Sequence, residues 1–330
     1  MELFWLATST IFIGVFGCVA WFWGSNWVLD RILPPRGPNA GDNIRRANQI
    51  RPWLFLGPAI LFLGMYLVYP VIDSFWRSLH NANGTRFVGT ANYQWLAGDA
   101  KFRESMVNNM LWLLVVPALA TVFGLLAAQL TDRLKWGSIG KSLIFMPMAI
   151  SFVGAGVIWR FIYEYRAAGE TQIGLLNWIV TQFGGQPQLW LTLPGWNSFL
   201  LMIVLVWIQT GFAMVILSAA LRGIPEETIE AAILDGASPL QVFFKIKVPQ
   251  IMGTIAVVWT TITIVVLKVF DIVFVMTNGQ WGTQVLANYM YDWSFRANDT
   301  GRGSAIAIVL MVLVTPIMVW NIWNARREVR

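Results

Sequence analysis

Seven stretches of about twenty or more predominantly apolar residues constrain this chain more than any other feature: residues 3–29, 53–72, 111–130, 143–162, 199–221, 251–276 and 305–323. A bilayer's hydrocarbon core is about 30 Å thick and takes about 20 residues of α-helix to cross. Each run is too long for a barrel strand and lacks strict alternation, and a lipid-exposed backbone must satisfy its own hydrogen bonds, so helices are the expected form. The pattern predicts an all-α, polytopic membrane helical bundle of about seven transmembrane helices.

Composition supports a bilayer partner. Of 330 residues, 57% are hydrophobic and 12% charged, too little polar surface for a water-soluble globule of this length. The net charge of +6 is spread between the apolar runs, so it points to membrane orientation and no nucleic acid. A single cysteine, Cys18, and a single histidine, His80, exclude an internal disulfide framework, and no metal site is expected. Cys18 reads as a packing residue in an apolar helix, and His80, near Arg77, as an interfacial polar residue.

Alternate loops differ in basic charge. One set carries fourteen Lys and Arg: Arg31, Arg36, Arg45, Arg46, Arg51, Arg133, Lys135, Lys141, Arg222, Lys245, Lys247, Arg326, Arg327 and Arg330. The other carries seven: Arg77, Arg86, Lys101, Arg103, Arg166, Arg296 and Arg302. The positive-inside tendency places the first set in the cytoplasm, with the N-terminus outside and the C-terminus inside. Glu2 stands where a signal peptide would be basic, and no small-residue cleavage site precedes Asp30, so the first stretch reads as a retained helix. Pro34, Pro35 and Pro38 mark a linker. The expected organisation is 1–52, an extra helix with a cytoplasmic linker, and 53–330, a six-helix core with a cytoplasmic loop at 222–250. No fixed-period repeat or inverted pair of halves is visible, which disfavours an ion-coupled secondary transporter.

The loop at 222–250 has strong local signals. Pro225 suits the first position of a helix, and Glu226 and Glu227 follow where the helix dipole favours negative charge. Gly236 suits a left-handed helix end, Ser238 an N-cap and Pro239 the next first position. Ala231 and Ala232 keep a face slim enough to enter a cleft on another protein, and Glu230 beside them can pair with a base there. Glu230-Ala231-Ala232, Gly236, Ile246 and Pro249 resemble the EAA loop of ABC importer permeases, with Val248 in place of the usual Leu. The resemblance implies that Glu230 to Gly236 docks on a cytoplasmic ATPase and transmits its closure to the membrane helices.

A second resemblance covers Phe270-Asp271, Met276-Thr277-Asn278-Gly279, Thr283, Val285-Leu286, Tyr289, Tyr291 and Phe295, which are similar to sugar permeases of the maltose type. Here Gln280-Trp281-Gly282 replaces a Gly-Pro turn and Ser294 replaces Ala. Among branches, the chain looks most like the first permease of α-glucoside systems. The resemblance implies a carbohydrate importer of the bacterial inner membrane, assembled from this subunit, a second homologous permease, a homodimeric cytoplasmic ATPase and a periplasmic or extracellular sugar-binding protein. It implies no catalytic site and no cofactor in this chain, ATP and Mg being bound by the ATPase. The alternatives are an ion-coupled transporter or an ABC permease for another small polar solute such as glycerol phosphate.

Polar residues inside apolar runs are candidates for the substrate path, because a charge in a bilayer normally faces a cavity or a partner. Lys268 lies 17 residues beyond Ile251, with Asp271 one turn further on the same face of a continuous helix. Either the two neutralise each other as an ion pair, or both face the path and bind sugar hydroxyls. Gln209, Thr210 and Phe212 fall in the segment that lines the sugar site in the maltose-permease family, where an amide suits hydroxyls and a ring suits a pyranose face. Gln209 equally suits a bond to a neighbouring helix. Gly137 to Ser142 lacks the first glycine of a phosphate-binding loop, since Lys135 stands in its place.

Overall fold

The computed structural model describes residues 2–132, 134–167 and 169–328, so Arg133 and Arg330 of the charge tally lie outside the described residues. Their regular secondary structure is helical, apart from one isolated bridge between His80 and Phe87. In chain order the helices are α1 (Glu2–Ile32), α2 (Ala40–Leu63), α3 (Tyr69–Ser78), α4 (Ala91–Gly98), α5 (Ala100–Thr131), α6 (Gly137–Phe145) and α7 (Phe152–Ile162). They continue with α8 (Leu175–Gln182), α9 (Asn197–Arg222), α10 (Glu226–Leu234), α11 (Pro239–Gln241), α12 (Val248–Gln250) and α13 (Met252–Leu267), then α14 (Asp271–Met276), α15 (Leu286–Tyr291) and α16 (Thr300–Glu328). Four helices cross a bilayer by length and composition: Trp5–Ile32, Ala40–Ser78, Ala100–Thr131 and Asn197–Arg222. Two bent pairs add up to two more, and α16 carries a shorter apolar stretch, Thr300–Pro316. Each of the seven expected stretches thus falls on helical structure.

Two of the seven are broken. The stretch 143–162 bends by 105° between Gly137–Ala149 and Phe152–Ile162. Pro147 supplies no N–H to the end of α6, Ile150 and Ser151 are extended, and Ser151 restarts the chain as an N-cap whose hydroxyl accepts from Gly154 N at 3.1 Å. The stretch 251–276 is interrupted after Leu267, where Lys268 caps α13 and Phe270 has φ −142° and ψ −60°. Residues 260–266 are all Thr, Ile or Val, β-branched side chains that hold a helix weakly.

The chain forms two compact units, Met1–Asp73 and Ser74–Arg330. In the first, α1 and α2 are joined by Trp21 Nε1 donating to Leu54 O at 2.9 Å, by Phe22 stacked on Phe55, and by an Arg51–Asp30 ion pair at 2.9 Å. Cys18 lies on an exposed side of α1, so the reading of it as a packing residue is corrected.

In the second unit the core forms where α5 packs along α9, burying Trp112, Val116, Ala120, Leu205, Met214 and Leu217. A Cβ at Gly124 would overlap that of Ala213, so the absence of a side chain lets the two backbones approach. Contacts progress from Gly124 with Ala213 to Asp132 with Ser218 and Arg222, so the helices run parallel. Third and fifth spans must do this when loops alternate sides. His80 is buried, with its Nδ1 2.7 Å from Trp76 O and its ring between Trp76 and Phe87.

Candidate functional site

The hairpin after α9 is defined by its caps. Pro225 is the N-cap of α10, so the helix begins at Glu226, one residue later than the sequence suggests, and Glu226 and Glu227 occupy the first turn. At the other end Gly236 has φ +83°, its N–H reaches Ile233 O at 3.0 Å, and Ala237 N reaches Ala232 O at 3.0 Å. This is a left-handed terminus that glycine adopts without a Cβ clash. Ser238 and Gln241 then form a reciprocal capping box, with Pro239 behind the cap. A π-helical stretch, Val242–Lys247, and α12 lead through a 70° bend into α13.

The two alanines have different surroundings. Ala232 is buried on the side of the hairpin that also buries Val242 and Phe243, so its small size serves the hairpin's own packing. Ala231 and Glu230 face outward. The most conspicuous outward groups are apolar and were not singled out from sequence: Leu234 is 88% exposed and Leu240 70%, with Ile233 and Phe244 also exposed. An apolar Ile-Leu pair directly before the Asp-Gly helix end was the available signal.

The root of this hairpin is held by a charge cluster that sequence reasoning missed. Asp132, just past α5, accepts from Lys141 Nζ of α6, from Arg222 Nε and Nη2 of α9 at 3.0 and 2.8 Å, and from Ser218 Oγ of α9 at 3.1 Å. Burial by itself would raise the Asp132 carboxyl, but the bonds from Lys141, Arg222 and Ser218 outweigh it and hold the group below its usual value of 3.8. The cluster borders a cleft of about 420 Å³. From sequence Lys141 and Arg222 mark only topology; a lone acid at the end of an apolar run is the signal.

The candidate path residues separate. Lys268 and Asp271 share a pocket of about 120 Å³ with Phe152, Leu205, Val265 and Phe270. They are no longer neighbours on one helix face: Lys268 stands at the C-terminus of α13 and Asp271 at the N-terminus of α14, each at the end its own helix dipole favours. Among the described residues no ion pair joins them, so the neutralising-pair reading is corrected. Gln209, on α9, is 7% exposed, Thr210 Oγ1 is bound to Val206 O at 2.7 Å, and Phe212 packs on the core. None of the three lines the Lys268–Asp271 pocket, although Leu205, one turn before Gln209, does.

The second motif is mostly a braced turn. Asn278 and Trp281 hold φ of +54° and +56°. Asn108 donates to Gly282 O and Gln284 O, both at 2.8 Å, Asn109 Oδ1 accepts from Leu286 N at 2.8 Å, and Asn197 donates to Trp281 O at 2.6 Å. Thr277 and Thr283 bind each other at 2.7 Å, and Tyr289 OH donates to Asp99 Oδ1 at 2.8 Å. Three asparagines of α5 and α9, unmarked in the sequence, therefore fix the backbone in which the motif residues sit.

Comparisons with known proteins agree with this architecture. The sequence profile of the family described as "Binding-protein-dependent transport system inner membrane component" matches residues 106–330. The chain is 66% identical, over 99% of both chains, to the alpha-glucoside transport system permease protein AglF of Rhizobium meliloti. It is 48% identical to the osmoprotective compounds uptake permease protein GgtC of Synechocystis sp., covering 84% of this chain and all of that one. In fold it is similar to a chain of a bacterial alginate ABC transporter solved in complex with an alginate pentasaccharide-bound periplasmic protein. The TM-score is 0.72 at 20% identity, covering 88% of this chain and 98% of that one.

Proposed function

Because the chain belongs to the family of binding-protein-dependent transport system inner membrane components, we propose that it is a permease subunit of an ATP-driven importer of α-glucosides. The observation that carries the substrate class is the 66% identity, over 99% of the chain, to an alpha-glucoside permease. Its partners in this reading are a second homologous permease, a homodimeric cytoplasmic ATPase that binds ATP and Mg, and an external sugar-binding protein. The chain itself performs no covalent chemistry. The N-terminus lies outside and the C-terminus in the cytoplasm, and the helix and linker at 1–52 precede the six-helix core at 53–330.

Coupling runs through α10. Glu230, Ala231, Leu234 and Leu240 meet the ATPase, with Glu226 and Glu227 at the start of the helix and Gly236 setting the turn behind it. Closure of the ATPase dimer displaces α10, and α9, a continuous helix of 26 residues joined to it by Gly223-Ile224-Pro225, carries the displacement into the membrane. Lys268 and Asp271 at the α13–α14 break, together with Gln209, Thr210 and Phe212 on α9, belong to the path that the sugar follows.

The test is uptake by the reconstituted assembly. Labelled maltose, trehalose and sucrose are offered with the external binding protein, and a non-sugar osmolyte is offered as competitor. Uptake of at least one α-glucoside that the osmolyte leaves unchanged is the expected result. Uptake displaced by the osmolyte and by no disaccharide favours the second reading that the 48% relative supports, a permease for osmoprotective compounds. Uptake that survives ATP depletion and collapses with an uncoupler rejects both readings.

A further inference from the structure

The segment between α7 and α9 contains a helix whose outward side is the reverse of what a water-facing loop shows. On α8 and its C-cap the exposed residues are Leu175, Trp178, Ile179, Gln182 and Phe183, the last 89% exposed. At about 100° per residue they fall within an arc of about 140°. The opposite side carries Asn177, fully buried, with Leu176, Val180 and Thr181 partly buried.

This rotation is locked. Asn177 Nδ2 donates to Glu164 O at 2.9 Å and Gln188 O at 3.0 Å, while its Oδ1 accepts from Gln188 N at 2.9 Å and Trp190 Nε1 at 2.8 Å. Both donors and both acceptor sites of the amide are therefore used. Leu176, Trp190 and Leu191 pack on the core behind it. Glu164 lies two residues past the end of α7, so the tether holds α8 at the level where that helix ends.

The charge distribution identifies what covers the face. Glu164, Arg166 and Glu170 precede it, and then no ionisable residue occurs from Thr171 to Leu221. Trp196, Phe199 and Ile203 are likewise exposed and apolar along one side of the following membrane span. A face that docks a soluble protein and releases it again needs a polar, solvent-accessible rim. An uncharged face of Leu, Trp, Ile and Phe, with Gln182 its one polar member, beside a membrane span has the composition of an interfacial helix. We propose that the exposed face of α8 lies in the lipid bilayer interface, in the outer leaflet under the topology given above, where it seats the loop between α7 and α9 on the membrane surface.

Cys18 is the sole cysteine, so Cys18→Ser provides a clean background for nitroxide labels at Trp178→Cys, Phe183→Cys and, outside the apolar arc, Gln186→Cys. The labels are read in the full assembly in nanodiscs by their collisions with oxygen and with a water-soluble nickel chelate, in variants that retain uptake. Labels at 178 and 183 are expected to favour oxygen over nickel several-fold, with the reverse at 186 and no change when the binding protein is added. Nickel-accessible labels at 178 and 183 overturn the proposal by placing the face in water. Labels shielded from both reagents, or shielded only after the binding protein is added, overturn it by placing a protein there.

Discussion

Asp132 has a formal charge shared among three donors, and its effects follow from that. Asp132→Asn leaves Lys141 and Arg222 facing each other without the negative charge they share; Arg222 is largely exposed and screened, so Lys141 and Ser218 dominate the loss. The expected cost is about 1–3 kcal/mol of unfolding free energy. Because the folded carboxyl titrates below the usual 3.8, its contribution is complete above about pH 4 and is lost as the pH falls through the lower folded value. Unfolding of the wild-type and Asp132→Asn chains followed from pH 7 towards pH 3 checks this: the gap between them is constant near neutrality and closes in acid. Single residues of this kind were the least legible in sequence. Asp132, Asn108, Asn109 and Asn197 act through partners up to 177 positions away, which no local pattern displays. Lys268 and Asp271 misled for a related reason, since a spacing of three means a shared face only while the helix continues.

Helices were legible where caps and periodicity agreed. Gly236, Ser238 and Pro239 announced the α10–α11 turn, and the structure differs only in starting α10 one residue later. Breaks inside apolar runs were harder to see, because hydrophobicity is the same on both sides of Ser151 and of Lys268. Two predictions belong at this scale. Leu234→Asp alters a side chain that touches little of its own chain, so stability changes by no more than about 0.5 kcal/mol. On the proposed docking of α10, binding of the purified permease assembly to its ATPase weakens by about 2 kcal/mol, roughly thirty-fold in Kd, because a charge replaces an apolar contact. Gly124→Leu acts in the opposite sense: it overpacks the α5–α9 seam and costs about 1–3 kcal/mol, read as a lowered melting temperature, with the exposed hairpin unchanged.

For the whole molecule, membership of the permease family and the α-helical membrane fold were legible from seven apolar runs and two motifs, whereas the likeness to an alpha-glucoside permease rested on the general look of the chain and on no single motif. The loop motif was informative because a docking helix must be rebuilt with the same caps wherever it occurs, whereas polar groups on a translocation path are set by each cargo. The central claim is that the α10 hairpin transmits ATPase closure to the membrane helices. It is tested most directly by measuring sugar-stimulated ATP hydrolysis and sugar uptake together in proteoliposomes that contain the complete importer, with and without Glu230→Lys and Gly236→Asp in this chain. The account predicts that the double variant assembles in the membrane while uptake and sugar stimulation both fall at least ten-fold. Uptake and stimulated hydrolysis at wild-type rates would contradict it.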